Sequence, residues 1–207
     1  KLVFQGAKLS YLLLYTISLP IILETHTLLR LWLGDVPNYA VQFVQLVMIY
    51  GLSEGISYTL VTLMLATGDI RNYQIIVGGC QMLNFPLSWL FLKIGASPEY
   101  TFVISICVAF GCLFLRLIML RKMVGLPVRR FLSSVVCRVL VVTVVSSIFP
   151  LLLKFYTEPS IIRFFCLTIT SVFSVVFFSL TLGCSVKERN FVLKKIVTII
   201  KTRFHKA

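Results

Sequence analysis

A long apolar stretch with one carboxylate at its centre constrains this chain more than any other feature. From Val41 to Ala66 there is no Lys, Arg, Asp or Pro, and Glu54 is the only charged residue. A helix needs about 20 apolar residues at 1.5 Å rise each to cross the hydrocarbon of a bilayer. Glu54 would lie about 20 Å along such a helix from Val41 and about 18 Å from Ala66, near the midplane. A carboxylate there costs roughly 2.5 to 3.5 kcal/mol on insertion scales, so we expect it to face the interior of a bundle and to serve function.

Helical spacing places several polar or small residues on the same face as Glu54. Tyr50, Ser57 and Tyr58 would surround the carboxylate with hydroxyl groups. The sequence therefore predicts a polar site for transport or coupling, in which Glu54 couples a cation or contacts a sugar. The alternative is a carboxyl group that hydrogen-bonds Tyr50 or Ser57 and only stabilises the bundle.

Composition sets the class of protein. Hydrophobic residues make up 58% of the chain, charged residues make up 13%, and the mean hydropathy is +0.97. The apolar runs are continuous, whereas the strands of a membrane barrel alternate polar and apolar residues. We therefore predict an all-α integral membrane protein. Its net charge of +13 resides largely in the segments between spans, which argues against nucleic acid as a partner.

Six membrane spans and a basic tail are predicted. Asn84 and Pro86 interrupt the third span, so we expect either a kinked helix lining a cavity or a kink that serves packing. The tail, residues 184–207, has the pattern of a basic amphipathic helix at the cytoplasmic membrane surface. The predicted spans of the six-helix domain, residues 1–183, are 2–23, 41–66, 73–92, 102–120, 132–153 and 161–182.

The distribution of basic residues predicts the orientation. With the N-terminus in the cytoplasm, 16 of the 20 Lys and Arg residues lie on the cytoplasmic side. This asymmetry follows the positive-inside rule and predicts that both ends of the chain are cytoplasmic. The turn around Asp69 and Arg71 and the basic segment 121–130 would then face the same compartment.

No catalytic, metal or cofactor site is predicted. His26 and His205 are isolated, and the sequence lacks the paired carboxylates or the His with an acid that a transferase would need. The six cysteines lie in apolar runs without a CxxC pair, so we expect them to be small core residues. A membrane enzyme is therefore disfavoured, and a purely structural membrane subunit stays open as an alternative to a transporter.

Four short motifs resemble a known family. They are RLWLGDVPNYAVQF at 30–43, LATGDIRNYQIIVGG at 65–79, LNFPLSWLFLKIGASPE at 83–99 and LFLRLIMLRK at 113–122. In this order they are similar to the later part of polysaccharide flippases, the Wzx-type members of the MOP superfamily, which also contains the MATE exporters. The resemblance covers about residues 1–130 by motif and the last two spans by hydropathy alone.

The resemblance implies a function and a set of partners. Such proteins move undecaprenyl-diphosphate-linked oligosaccharides across the bacterial inner membrane for O-antigen, capsule or exopolysaccharide synthesis, by alternating access between two lobes. The chain would be the C-terminal lobe, with an N-terminal lobe preceding Lys1, and membrane lipids would surround it. A MATE-like exporter of amphipathic small molecules, coupled to a cation, is the alternative.

The resemblance also implies a phosphate-binding entrance on the cytoplasmic side. A diphosphate needs cations near the leaflet where it is loaded. Arg71, Arg116, Arg121 and Lys122 are the candidates. Each has a simpler alternative, since Asp69 and Arg71 could only cap helices and Arg116 could only snorkel to the interface.

Overall fold

The computed structural model describes residues 2–183 and is helical throughout, with short turns between helices. Two π-helical turns, Leu132–Val136 and Ser179–Gly183, continue the neighbouring helices. The α-helices are α1 Leu2–Leu23, α2 Thr25–Leu33, α3 Ala40–Ala66, α4 Ile70–Met82, α5 Asn84–Lys93, α6 Tyr100–Val124, α7 Val128–Phe131, α8 Cys137–Tyr156 and α9 Ile161–Phe178.

Within residues 2–183, six helical segments are long and apolar enough to cross a membrane, which confirms the predicted all-α membrane bundle. Helices α1, α3 and α6 each form one span, while α4 with α5, α7 with α8, and α9 with its π-turn form the other three. Helix α2 is different, because it has only nine residues and leaves Leu31 and Trp32 largely exposed beside Arg30. Such a short amphipathic helix is typical of a membrane boundary.

Helix α1 lies at the centre of the bundle. It packs against α3 on one side and against α8 and α9 on the other, and α6 lies beyond α3 with α4 and α5 against it. The central position explains why polar residues of α1, such as Lys8 and Ser18, are buried as well as apolar ones. The span formed by α4 and α5 is at the edge, and few of its residues are buried.

Contacts between helices that are distant in the chain define the two ends of the bundle. At the end that we call the Leu23 end, Lys154 Nζ donates to the Leu23 carbonyl at 2.6 Å, and the Gln45 amide donates to the Ile22 carbonyl at 3.0 Å. At the opposite end, the rings of Phe4 and Phe131 meet edge to face with centroids 5.3 Å apart. We call it the basic end because Arg121, Lys122, Arg129 and Arg130 lie there. The spans that these contacts join therefore alternate in direction along the chain.

The third and fifth predicted spans differ from the structure at their starts. The third span begins at Ile70 and breaks at Leu83, directly before Asn84 and Pro86, since proline cannot donate the hydrogen bond that would continue the helix. The fifth span begins at Val128, so most of the basic segment 121–130, predicted to connect two spans, is helical. Only residues 125–127 separate α6 from α7.

Hydroxyl groups join α1 to α8 inside the bundle. The Tyr15 hydroxyl donates to the Thr143 carbonyl at 3.0 Å and lies 2.6 Å from the Ser147 hydroxyl. The Tyr11 hydroxyl lies 3.1 Å from the Thr143 hydroxyl. Interhelical hydrogen bonds of this kind hold membrane helices together where no hydrophobic driving force between helices exists.

Helices α1 and α3 approach closely at Gly55. A Cβ atom at Gly55 would lie 2.7 Å from Leu14 Cδ1 and 3.8 Å from Tyr11 Cα, whereas a Cβ at Gly51 would meet nothing within 4 Å. Close approach through small residues is a common way to pack membrane helices.

We expect Gly55→Leu to lower the free energy of unfolding by about 1 to 3 kcal/mol, because overpacking forces neighbouring side chains from their rotamers. Gly51→Leu, the same change one turn earlier in the open position, should have a much smaller effect. Equilibrium unfolding in lipid nanodiscs measures both, and equal losses at the two sites would contradict the close approach.

The cysteines differ from the expectation. Of the five that the structure describes, only Cys112 is buried, Cys80 is half-buried, and Cys107, Cys137 and Cys166 are exposed on the helical surface; all five are free thiols. The apolar runs that hold them have outward as well as inward faces, which hydropathy alone does not distinguish. Cys184 and the predicted amphipathic tail, 184–207, lie outside the described residues.

Candidate functional site: an ion pair within the membrane spans

Glu54 pairs with Arg116 in the middle of the bundle. Glu54 Oε1 lies 3.7 Å from Arg116 Nη1, and the two side chains are 29% and 4% exposed, respectively. Glu54 lies at the centre of α3, and Arg116 lies eight residues before the end of α6, about 12 Å along its axis. The ion pair therefore joins two adjacent spans well inside the apolar region.

The length of α6 explains this position. The predicted span ended at Leu120, which put Arg116 in the last turn at the cytoplasmic boundary. The helix instead continues to Val124 and ends at Gly125, whose φ of +65° suits glycine at a helix C-terminus. Arg116 is thus buried beside a carboxylate two turns before the end of the helix, and its predicted place in the last turn is corrected.

Hydrogen bonding around the ion pair is incomplete. Within residues 2–183, Glu54 Oε1 and Arg116 Nε and Nη1 are buried atoms without a hydrogen-bond partner. The Ser57 hydroxyl, which is fully buried one turn from Glu54, also lacks one there. Buried groups of this kind cost free energy unless they find partners, so the site is not optimised for stability alone.

The predicted neighbours of Glu54 differ in burial. Tyr50 is half-buried one turn away on the same helix, and Ser57 is buried. Tyr58 is 72% exposed and points out of the bundle, so it does not enclose the carboxylate. Residues four apart on a helix differ in direction by about 40° around its axis. This rotation is enough to place Tyr58 on the outer surface although Glu54 lies at the edge of the α3–α6 contact.

Asn84 lies away from the Glu54–Arg116 pair. Its amide Nδ2 donates to Ser105 Oγ at 2.9 Å, and its Oδ1 accepts from Ser88 Oγ at 3.3 Å. Ser105 is eleven residues from Arg116, about 16 Å along α6. The structure therefore supplies the partner that an asparagine within the membrane needs, but it separates Asn84 from the ion pair.

The other predicted entrance residues are exposed at the basic end. Arg121 and Lys122 lie in the last turn of α6, and Arg71 lies in the first turn of α4. Arg129 and Arg130 in α7 are exposed at the same end. These five exposed side chains give this end of the bundle a positively charged surface, and three of them, Arg71, Arg121 and Lys122, are predicted entrance residues.

A second ion pair, which the sequence analysis did not predict, closes the Leu23 end. Glu24, 2% exposed, lies between α1 and α2, and its Oε1 is 2.8 Å from Arg163 Nη2 in α9. The Thr27 hydroxyl donates to Glu24 Oε2 at 2.5 Å, and Arg163 Nη1 donates to the Thr157 carbonyl at 3.0 Å. Glu24 and Arg163 lie at the ends of predicted spans on the same side of the membrane. Their opposite charges at these positions could have indicated the pair.

The α3–α6 interface differs on the two sides of the Glu54–Arg116 pair. Toward the basic end, Leu60, Met64, Leu117 and Leu120 are at most 1% exposed, so this half is filled by apolar side chains. Toward the Leu23 end, a cleft of about 460 Å³ opens between the first turns of α3 and of α6. The interface is closed on one side of the ion pair and open on the other.

The fold and this site define a multi-pass helical membrane protein with an ion pair within its spans. Comparison with protein-family models, with curated proteins and with solved structures finds no match for the chain. Within residues 2–183 no group of three or more His, Cys, Asp or Glu side chains could hold a metal ion.

Proposed function

We propose that the protein is a membrane transporter that moves a lipid-linked oligosaccharide across the bacterial inner membrane by alternating access. The observation that carries this proposal is the Glu54–Arg116 pair, because charged groups within membrane spans are costly and typically belong to substrate or ion pathways. Motion of α6 against α3 would break this pair and expose both groups to a watery cavity.

The charged surface at the basic end supports a phosphate-bearing substrate. Arg71, Arg121 and Lys122 are exposed there. A diphosphate headgroup would bind such cations through charge-assisted hydrogen bonds before transport. Burial of Arg116 beside Glu54 makes it a candidate for a later step, when the headgroup replaces the carboxylate as its partner.

The motif resemblance supports the substrate class. A lipid-linked sugar carries a polar group through hydrocarbon, which requires a cavity lined by hydrogen-bonding side chains. In a MATE-like exporter of cationic molecules, the carboxylate would have to be free to bind the substrate or the coupling cation. Glu54 is the sole carboxylate within the predicted spans, and Arg116 already balances its charge. The flippase interpretation is therefore the stronger one.

The proposal is tested by restoring the gene to a strain that lacks its own repeat-unit flippase and measuring surface polysaccharide. We expect the wild-type gene to restore polysaccharide and Glu54→Gln to reduce it at least about tenfold at matched membrane levels, since the variant leaves Arg116 without its counter-charge. Glu158→Gln, at an exposed position between α8 and α9, is the matched control and should export normally.

Failure of the wild-type gene across several sugar backgrounds, together with a gain of drug resistance in a sensitive strain, would favour the exporter. Normal export by Glu54→Gln would show that the ion pair is a structural feature.

A further inference from the structure

The open cleft at the Leu23 end has the chemistry of a sugar-binding site. It measures about 460 Å³, within the range of ligand pockets, and it lies between the first turns of α3 and α6. Its walls carry both hydrogen-bonding and apolar side chains. The lining residues are Gln42, Gln45, Leu46, Ile49, Ser97, Glu99, Tyr100 and Val103.

We propose that this cleft binds a neutral saccharide, and that it is the sugar subsite on the side of the membrane opposite the basic end. The inference rests on the proposed transport function for its biological role. The binding itself is argued from the side chains of the cleft.

The polar groups match the hydroxyl groups of a sugar. A glutamine amide offers two N–H donors and a carbonyl acceptor, and a carboxylate accepts hydrogen bonds at both oxygens. Gln42 is exposed in the cleft, and Glu99 is half-buried directly before α6. Ser97, in the turn between α5 and α6, adds a hydroxyl group to the lining.

Two residues of the cleft are held in place by other contacts. Gln45 Nε2 donates to the Ile22 carbonyl at 3.0 Å, which leaves its second N–H and its carbonyl for a ligand. The Tyr100 ring is 46% exposed and stacks on Phe91 with ring centroids 6.3 Å apart. A fixed aromatic ring beside planar amides offers an apolar surface for the C–H face of a sugar ring.

The charge of the cleft selects among sugars. Its lining contains one carboxylate, Glu99, and no Lys or Arg. Lys93, the nearby cation in sequence, lies over the Trp89 ring at 4.9 Å from its centroid. An acidic sugar would meet Glu99 without a compensating cation, so neutral or amino sugars are favoured over uronates.

The cleft also shares its two helices with the ion pair. Gln42 is twelve residues from Glu54, about 18 Å along α3, and Val103 is thirteen residues from Arg116, about 20 Å along α6. A change in the angle between α3 and α6 would therefore alter the cleft and the ion pair together. This gives the sugar and the charged headgroup separate sites on one pair of moving helices.

Direct binding tests the proposal. The full chain is placed in lipid nanodiscs, free of sugar-headed detergent, and titrated by saturation-transfer NMR with lactose, cellobiose, N,N′-diacetylchitobiose and an unsaturated hyaluronan disaccharide. We expect saturable binding of at least one neutral probe and much weaker binding of the acidic one. The double variant Gln42→Leu/Glu99→Gln should raise the apparent Kd at least about fivefold, because two side chains that bond the ligand are changed.

Gln74→Leu, the same substitution at an exposed position on α4, is the matched control and should bind as the wild type does. Unchanged thermal unfolding of the double variant shows that it is folded. Absence of binding for all neutral probes, equal binding of the acidic probe, or binding that the double variant leaves unchanged would each overturn the proposal.

The outcome is separable from that of the proposed function. If export persists while no sugar binds, the sugar subsite is excluded and the transport function stands. If the protein binds sugar but restores no export, the sugar site stands and the flippase function is excluded.

Discussion

Arg116→Leu is expected to lower the free energy of unfolding by about 3 kcal/mol, because it leaves the Glu54 carboxylate within the spans without a counter-charge. Breaking a buried pair by removing one partner costs about 3 to 5 kcal/mol, and the 29% exposure of Glu54 puts this substitution at the lower end. Equilibrium unfolding in lipid nanodiscs is the measurement. Arg121→Leu, at an exposed position in the last turn of the same helix, is the matched control and should change stability little.

The double variant Glu54→Gln/Arg116→Gln separates stability from function. Removing both charges together leaves no unpaired charge, so we expect most of the lost stability to return. If the ion pair takes part in transport, this stable variant stays inactive. Stability losses of the single variants that simply add in the double variant would show that the two side chains do not interact.

At the Leu23 end, Arg163→Met is expected to lower the free energy of unfolding at least as much as Arg116→Leu does. Glu24 is 2% exposed and would lose the Arg163 contact at 2.8 Å, which joins the α1–α2 junction to α9. A loss of about 3 to 5 kcal/mol corresponds to a fall of roughly 6 to 20 °C in the unfolding midpoint for a chain of this size. Thermal unfolding in nanodiscs checks it.

A second substitution provides the control for this prediction. Glu24→Gln/Arg163→Met should regain much of the stability, since it replaces the buried pair by two neutral side chains. Arg30→Met, on the exposed face of α2, should leave the midpoint nearly unchanged. A midpoint for Arg163→Met within about 1 °C of the wild type would contradict a stabilising role for the second ion pair.

The spans were predictable because hydropathy and length decide them. Six apolar runs of sufficient length are visible in the sequence, and the break before Asn84 and Pro86 follows from the chemistry of proline. The position of Glu54 at mid-span was also predictable, because only the distance along one helix was needed.

The partner of Glu54 was not predictable in the same way. Arg116 is 62 residues away, and which helices are neighbours depends on packing that hydropathy does not encode. An error of four residues in the end of α6 was enough to place Arg116 at the boundary instead of inside. For the same reason Tyr58 was expected beside Glu54, although it is exposed on the outer surface.

The second ion pair illustrates a signal that topology does carry. Glu24 follows the first span and Arg163 begins the last, and alternation of direction brings both positions to one end of the bundle. Opposite charges at such positions are candidates for pairing. Which of the four basic residues at that end pairs with Glu24 depends on the contact between α1 and α9.

Transport is tested most directly by reconstituting the wild-type protein and the stable Glu54→Gln/Arg116→Gln variant in vesicles with a fluorescent undecaprenyl-diphosphate-linked oligosaccharide. Movement between leaflets is followed by the accessibility of the label to a quencher that does not cross the membrane. We expect the wild type to exchange the lipid faster than protein-free vesicles do, and the double variant to fall to the protein-free rate. Equal rates for the wild type and protein-free vesicles, or for the wild type and the double variant, would contradict it.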